Sequence, residues 1–194
     1  FGLLAFARYT TAGALDSTAK VWRAEVMDRL IALTNAYATR YNGHPMMEMF
    51  SLSETALTSP SGSGGYSTSG YATQLRRWCD AAKSSWKNTQ LRLVANYHGS
   101  DSQMGELIEY CTKGGGVAVG GPDPETPLPN ITRSVQANRI FRASNGGTDY
   151  RGVVPWVAET QALGLGASGY SVETPAEIFN YQYNVMHANY MIWM

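Results

Sequence analysis

Long apolar runs are missing. No uninterrupted stretch approaches the ~20 residues that a membrane-spanning helix needs, so no membrane partner is expected. A surplus of one charge is missing as well. Fifteen Lys plus Arg balance fifteen Asp plus Glu, and no basic stripe is visible, which argues against a nucleic-acid partner. Cysteine is nearly absent. Cys79 and Cys111 lie in helix-like segments outside any metal-spacing motif; they read as buried or half-buried thiols, and the sequence leaves a disulfide between neighbouring helices open. No His/Asp/Glu cluster has ligand spacing, so no catalytic metal is expected. Gly114-Gly115-Gly116 and Gly62-x-Gly64-Gly65 lack the GK[ST] ending of a phosphate loop, and there is no Gly-x-Ser-x-Gly elbow. No cofactor is expected.

What the chain does have is apolar content, 44%, enough for a sizeable core within one domain or a large part of one. It also has two glutamates in matching settings. Glu54 ends Met46-Met47-Glu48-Met49-Phe50-Ser51-Leu52-Ser53-Glu54, and Glu159 ends Val153-Val154-Pro155-Trp156-Val157-Ala158-Glu159. A carboxylate at the C-terminal end of a buried strand stands where a β/α barrel keeps its chemistry. Two of them on different strands suggest an acid and a nucleophile facing each other.

Along the chain, residues 2–8 read as a buried strand ending in Arg8. From Asp16 the period lengthens: Val21, Trp22, Val26, Leu30, Leu33, Ala36 and Tyr37 recur at helical spacing, with Asp16 or Ser17 as the cap. Met46 to Ser53 is the second strand. The Gly/Ser/Pro stretch at 58–70 is a loop, read as lying on the substrate side because it follows Glu54. Tyr71 to Trp86 is a helix with Leu75, Trp78, Cys79 and Ala82 on one face. Residues 90–97 form the third strand. Ser100-Asp101 cap a helix carrying Met104, Leu107, Ile108 and Cys111, which Gly114-Gly115-Gly116 end. Residues 117–120 form a fourth strand, 131–141 a weak helix and 153–158 a fifth strand. Thr174-Pro175-Ala176-Glu177 is a capping box with Pro at the first helical position, opening a helix to about Ala188. Tyr190 to Trp193 is the last strand.

Strict alternation of strand and helix with short connections argues for an α/β fold, a parallel sheet with crossover helices. About six strands are too few for the eight of a (β/α)8 TIM barrel. Both termini are strand-like and apolar, whereas domains usually finish in polar, frayed segments. We therefore expect residues 1–194 to be a single barrel-domain fragment, about strand three to strand eight, with two β/α units preceding Phe1. Open edges on the first and last strands would offer a surface for pairing with a second copy.

With its glutamates so placed, the chain resembles the retaining (β/α)8-barrel glycoside hydrolases of the clan of cellulases, mannanases and β-galactosidases, in which the acid/base Glu ends strand four and the nucleophile Glu ends strand seven. The resemblance is one of topology and spacing over nearly the whole chain. It implies that Glu54 is the acid/base and Glu159 the nucleophile, acting on a β-linked oligo- or polysaccharide. Trp193 matches the Trp that floors the sugar site after strand eight. One position departs: the clan has Asn before the acid/base Glu, and this chain has Ser53, which can still donate to a sugar hydroxyl with shorter reach.

Other candidates stand beside structural readings. Tyr97 and His98 end the third strand and can bind sugar hydroxyls, orient Glu54 or serve structure. Asp123 can bind substrate or shape its proline-flanked loop. Trp156 can stack on a sugar, although core filling is favoured. Arg8 can hold a carboxylate ionised, although a surface ion pair is the plainer reading. Two alternatives to hydrolysis remain. One is a barrel of the same ancestry that binds glycan without cleaving it, which Ser53 favours slightly. The other is a different β/α-barrel enzyme, which the lack of a phosphate site argues against.

Overall fold

The computed structural model describes residues 5–9, 15–52, 55, 57, 64–95, 100–122, 154–160, 174–185 and 187–193, with backbone alone at 5–9, 15–18, 101, 121, 122, 159, 160, 185 and 193. The chain divides into two compact units, Phe1–Glu48 with Ala56–Thr89, and Met49–Thr55 with Gln90–Met194.

The second unit holds the sheet. β3 (Met49–Ser51), β4 (Gln90–Val94), β5 (Val117–Pro122), β6 (Trp156–Thr160) and β7 (Tyr190–Trp193) lie in chain order, and every neighbouring pair is parallel. Strands covered on both faces read as continuous apolar runs rather than alternating ones. Leu91, Leu93, Val94, Ala118, Val119, Val157 and Ala158 are accordingly all buried, though they point alternately to both faces. The expected parallel α/β sheet is present, with β5 and β6 each extending two residues beyond their expected ends.

Helix α3 (Asp101–Thr112) packs on β5. Its apolar positions Met104, Leu107, Ile108 and Cys111 recur at three- and four-residue spacing and are buried to 1% exposure or less. Ser100 Oγ accepts from Gln103 N, and Gln103 Oε1 accepts from Ser100 N, closing the capping box. α4 (Pro175–Asn180) opens on the expected Thr174–Glu177 box. Backbone and hydroxyl donors of Thr174 hold the Glu177 carboxyl below its ordinary pKa. That cap is therefore complete at neutral pH and is lost as acid protonates Glu177. The helix then ends earlier than expected, passing into a π-helical turn, Tyr181–Val185, with Gln182 fully buried. Asn189 fastens the chain ahead of β7: its N–H donates to Trp156 O, and its Oδ1 accepts from Trp156 N.

The first unit departs from expectation at its start. β1 (Ala5–Tyr9) pairs antiparallel with β2 (Leu15–Ala19) in a separate two-stranded sheet, so the run ending near Arg8 adds no sixth strand to the parallel sheet. A five-residue connection suits a hairpin, whereas a parallel crossover needs a dozen residues or more. The register sets Arg8 opposite Asp16, an opposite-charge pairing that favours an antiparallel ladder. Asp16 and Ser17 thus belong to β2 and cap no helix. Helix α1 (Ala24–Tyr41) begins after Arg23, which makes no side-chain cap. Its buried stripe runs through Val26, Met27, Thr34 and Ala38, while Leu33 and Tyr37 are half exposed at 50% and 45%. The stripe is rotated from the expected one because a polar residue, Thr34, sits inside it. Thr34 Oγ1 donates to Leu30 O and accepts from the Trp78 indole N–H at 2.8 Å.

Trp78 belongs to α2 (Thr68–Ser85), whose buried face of Tyr71, Leu75, Trp78, Cys79 and Ala82 matches the sequence reading. Ser67 caps it by accepting from Gly70 N. Cys79 and Cys111 are buried and not joined in a disulfide. The weak helix expected at 131–141 lies outside the described residues.

Thr34→Val preserves shape but strips the Trp78 indole of its acceptor. A buried donor left unmatched costs about 1–3 kcal/mol, so the urea midpoint should fall. Adding Trp78→Phe, which removes the stranded donor, should recover part of the loss. A midpoint unchanged in Thr34→Val would show that the bond contributes nothing.

Candidate active site

The sheet register fixes where each strand ends. Arg92 pairs with Ser51 and Ala118; Gly120 pairs with Val94 and Val157; Pro122 and Ile192 pair with Glu159; and Trp193 pairs with Thr160. Glu159 is the fourth of five residues in β6, at its C-terminal end. β3 ends at Ser51, but its ladder to β4 continues: Leu52 N donates to Arg92 O, and Thr55 N donates to Val94 O. The chain thus advances three residues from Leu52 to Thr55 while β4 advances two. A regular ladder would advance two on each side. Thr55 is fully buried.

Ser53 and Glu54 fall between these two anchored residues and lie outside the described set, as do Tyr97, His98 and Asp123. Leu52 and Thr55 themselves bond to β4 at the C-terminal end of β3, the same end of the sheet on which Glu159 stands. Trp193, on β7, neighbours the Glu159 strand directly, displaced by one residue along it. Trp156 opens β6 at the opposite end from Glu159 and is 3% exposed, a core position. Arg8 stands in the antiparallel hairpin of the first unit, not at the end of a sheet strand as expected. Among the described residues, a cavity of about 350 Å³ is lined by Tyr183, Asn184, His187, Ala188 and Asn189, just ahead of β7 and so at the strands' N-terminal end. No described cluster of His, Cys, Asp and Glu could hold a metal.

Two residues that the sequence reading passed over matter here. Arg92, 3% exposed, is a guanidinium inside the sheet. Its signal was a lone charge within Leu91-Arg92-Leu93-Val94. Gly120 is the other. A Cβ there would stand 2.1 Å from Val157 O and 3.1 Å from Arg92 Nε, so only glycine lets β5 lie against β6 with Arg92 beside it.

A parallel sheet in chain order with helices between its strands matches part of a (β/α)8 barrel. Solved structures of similar fold include the β-glucanase SdGluc5_26A from Saccharophagus degradans, in its native form (TM-score 0.56, 14% identity) and in complex with cellotetraose (TM-score 0.54, 13% identity), each match covering 87% of this chain and 51% of that one. The chain spans about half the length of these neighbours, and at such identity the likeness is one of fold, that of a glycoside hydrolase barrel. No protein-family model matches the chain, and no curated protein matches it in sequence.

Gly120→Ala should destabilise the protein by about 1–3 kcal/mol or more, the cost of overpacking against immovable backbone. Gly105→Ala in α3, where an added Cβ meets nothing within 4 Å, should instead stabilise by about 1 kcal/mol through helix propensity. Chemical denaturation of both variants checks the contrast. Equal responses would show that β5 and β6 have room to part at Gly120.

Proposed function

We propose that the chain is the acid/base- and nucleophile-bearing part of a retaining glycoside hydrolase that cleaves a β-linked glycan. β3 to β7 then correspond to barrel strands four to eight, the C-terminal part of the barrel. What supports this reading is that Glu159, and Leu52 and Thr55, which flank Glu54 in the sequence, stand at the same end of one parallel sheet whose β3 and β6 are separated by β4 and β5. The glucanase-type fold supports it, and that neighbour's complex with cellotetraose makes a β-glucan the first substrate to try.

In this reading Glu54 protonates the glycosidic oxygen as Glu159 attacks the anomeric carbon. The aglycone leaves, and a glycosyl ester to Glu159 remains. Glu54, now a carboxylate, takes a proton from water, which hydrolyses the ester and restores both groups. Such a double displacement requires carboxyls ~5–5.5 Å apart, against ~6.5–9.5 Å for inversion. Trp193 provides a platform for the sugar. Ser53, Tyr97, His98 and Asp123, at or just after strand ends, supply hydrogen bonds to its hydroxyls.

The test uses the full-length protein on aryl β-glycosides. Glu159→Ala should abolish turnover, and azide should partly restore it on activated substrates, giving a glycosyl azide of inverted configuration. Glu54→Ala should slow poor leaving groups far more than good ones, because its proton matters most there. Small, equal losses in both variants, with glycan affinity retained, would replace hydrolysis by the glycan-binding reading that Ser53 favours.

A further inference from the structure

The five strands of the parallel sheet contain only two charged residues, Arg92 in β4 and Glu159 in β6. Both occupy positions of one parity. Arg92 shares its row with Ala118. The next row holds Val94, Gly120, Val157 and Tyr190, and the row beyond it holds Pro122, Glu159 and Ile192. Paired residues of parallel strands face the same side, and alternate rows repeat it.

On β5 the two residues of this parity nearest Arg92 are Ala118 and Gly120, the smallest available. They leave space over β5, and the arginine uses it: its Nε lies 3.1 Å from where a Gly120 Cβ would stand. The guanidinium therefore leans from its own row toward β6. From the Gly120 row, Glu159 is one row on and one strand across, about 8 Å by the ~6.6 Å and ~4.8 Å spacings of a sheet. A guanidinium that is 3% exposed acts through protein rather than water, and at such range it favours the ionised form of a carboxyl. No other described residue of β3 to β7 is charged, and Glu106, Glu109 and Lys113 of α3 and its C-cap are exposed to solvent. In the sequence, Glu54, His98 and Asp123 are the further titratable groups that follow β3, β4 and β5.

We propose that Arg92 is a positioning residue for Glu159, a buried cation that reaches over the bare backbone of Gly120 and keeps that carboxyl ionised. Its value for catalysis rests on the nucleophile assignment above; its effect on the carboxyl does not.

The decisive measurement is a carbon-13 titration of the Glu159 carboxyl in the full-length protein, assigned with Glu159→Gln and read in a Glu54→Gln background to remove coupling between the two acids. Arg92→Met should raise the Glu159 midpoint by about one pH unit, tenfold in acidity, and Arg92→Lys should keep it near the wild-type value. The acidic limb of kcat/KM should move upward with it. A purely structural arginine would lower activity without moving either. Should Arg92→Met not fold, wild type decides: the Arg92 Nε–H resonance must shift through the Glu159 midpoint, and that inflection must vanish in Glu159→Gln. An unmoved carboxyl midpoint in folded Arg92→Met, or a flat Arg92 resonance, overturns the proposal. Loss of the glycosidase reading shows separately, as hydrolysis that survives Glu159→Ala.

Discussion

A charge inside a parallel sheet cannot be left to water, and this constraint organises the second unit. The described residues of its central strands, β4 to β6, are buried on both faces apart from Gln90, and most of them are Leu, Val, Ala or Gly. Placing a guanidinium among them demands space and a compensating field. The space comes from Ala118 and Gly120. The absence of a side chain at Gly120 does two jobs at once, since the same missing Cβ would strike the Val157 carbonyl. The tightness of the β5–β6 pair and the path of Arg92 are thus one structural fact.

The opposite end of the sheet is closed by polar tethers. Asn189 exchanges two hydrogen bonds with the Trp156 backbone, which sets the start of β7 against the start of β6. That tether fixes the register in which Glu159 faces Ile192 and Thr160 faces Trp193. Positions at the C-terminal end of β6 and β7 are therefore controlled from the far end of the same strands.

Much of the fold was legible in the residues. Helix α3 could be read from Met104, Leu107, Ile108 and Cys111, α2 from its Leu75–Trp78–Cys79–Ala82 face, and the start of α4 from Thr174, Pro175 and Glu177. In the first two, local pattern and burial agree; in the third, the capping box is formed as the residues indicate. Two features were not legible. Leu15–Ala19 carries a short, mixed run that suits a helix start as well as a strand, and only pairing with Ala5–Tyr9 decides it. Thr34 looks like an interruption of an apolar stripe until Trp78, 44 residues away, supplies its partner. Of the candidate site, Glu54 and Glu159 were both visible as acids ending apolar runs. Arg92 was hidden because one charge in such a run looks like a strand's solvent side, and only the register shows both faces covered.

Two kinds of glycine stand at the two ends of β5. Gly120 is glycine for want of room. Gly114, Gly115 and Gly116, between α3 and β5, have nothing within 4 Å of an added Cβ; what they share is φ of +82°, +79° and +80°. For these three residues the backbone runs with the opposite hand from the right-handed segments on either side. The crowding that excludes L side chains there is internal to each residue, and a D-amino acid would not suffer it. The chain thus passes from helix to strand through a short passage of inverted chirality, one that a mirror-image building block would fit as readily as glycine and with fewer conformations to lose on folding.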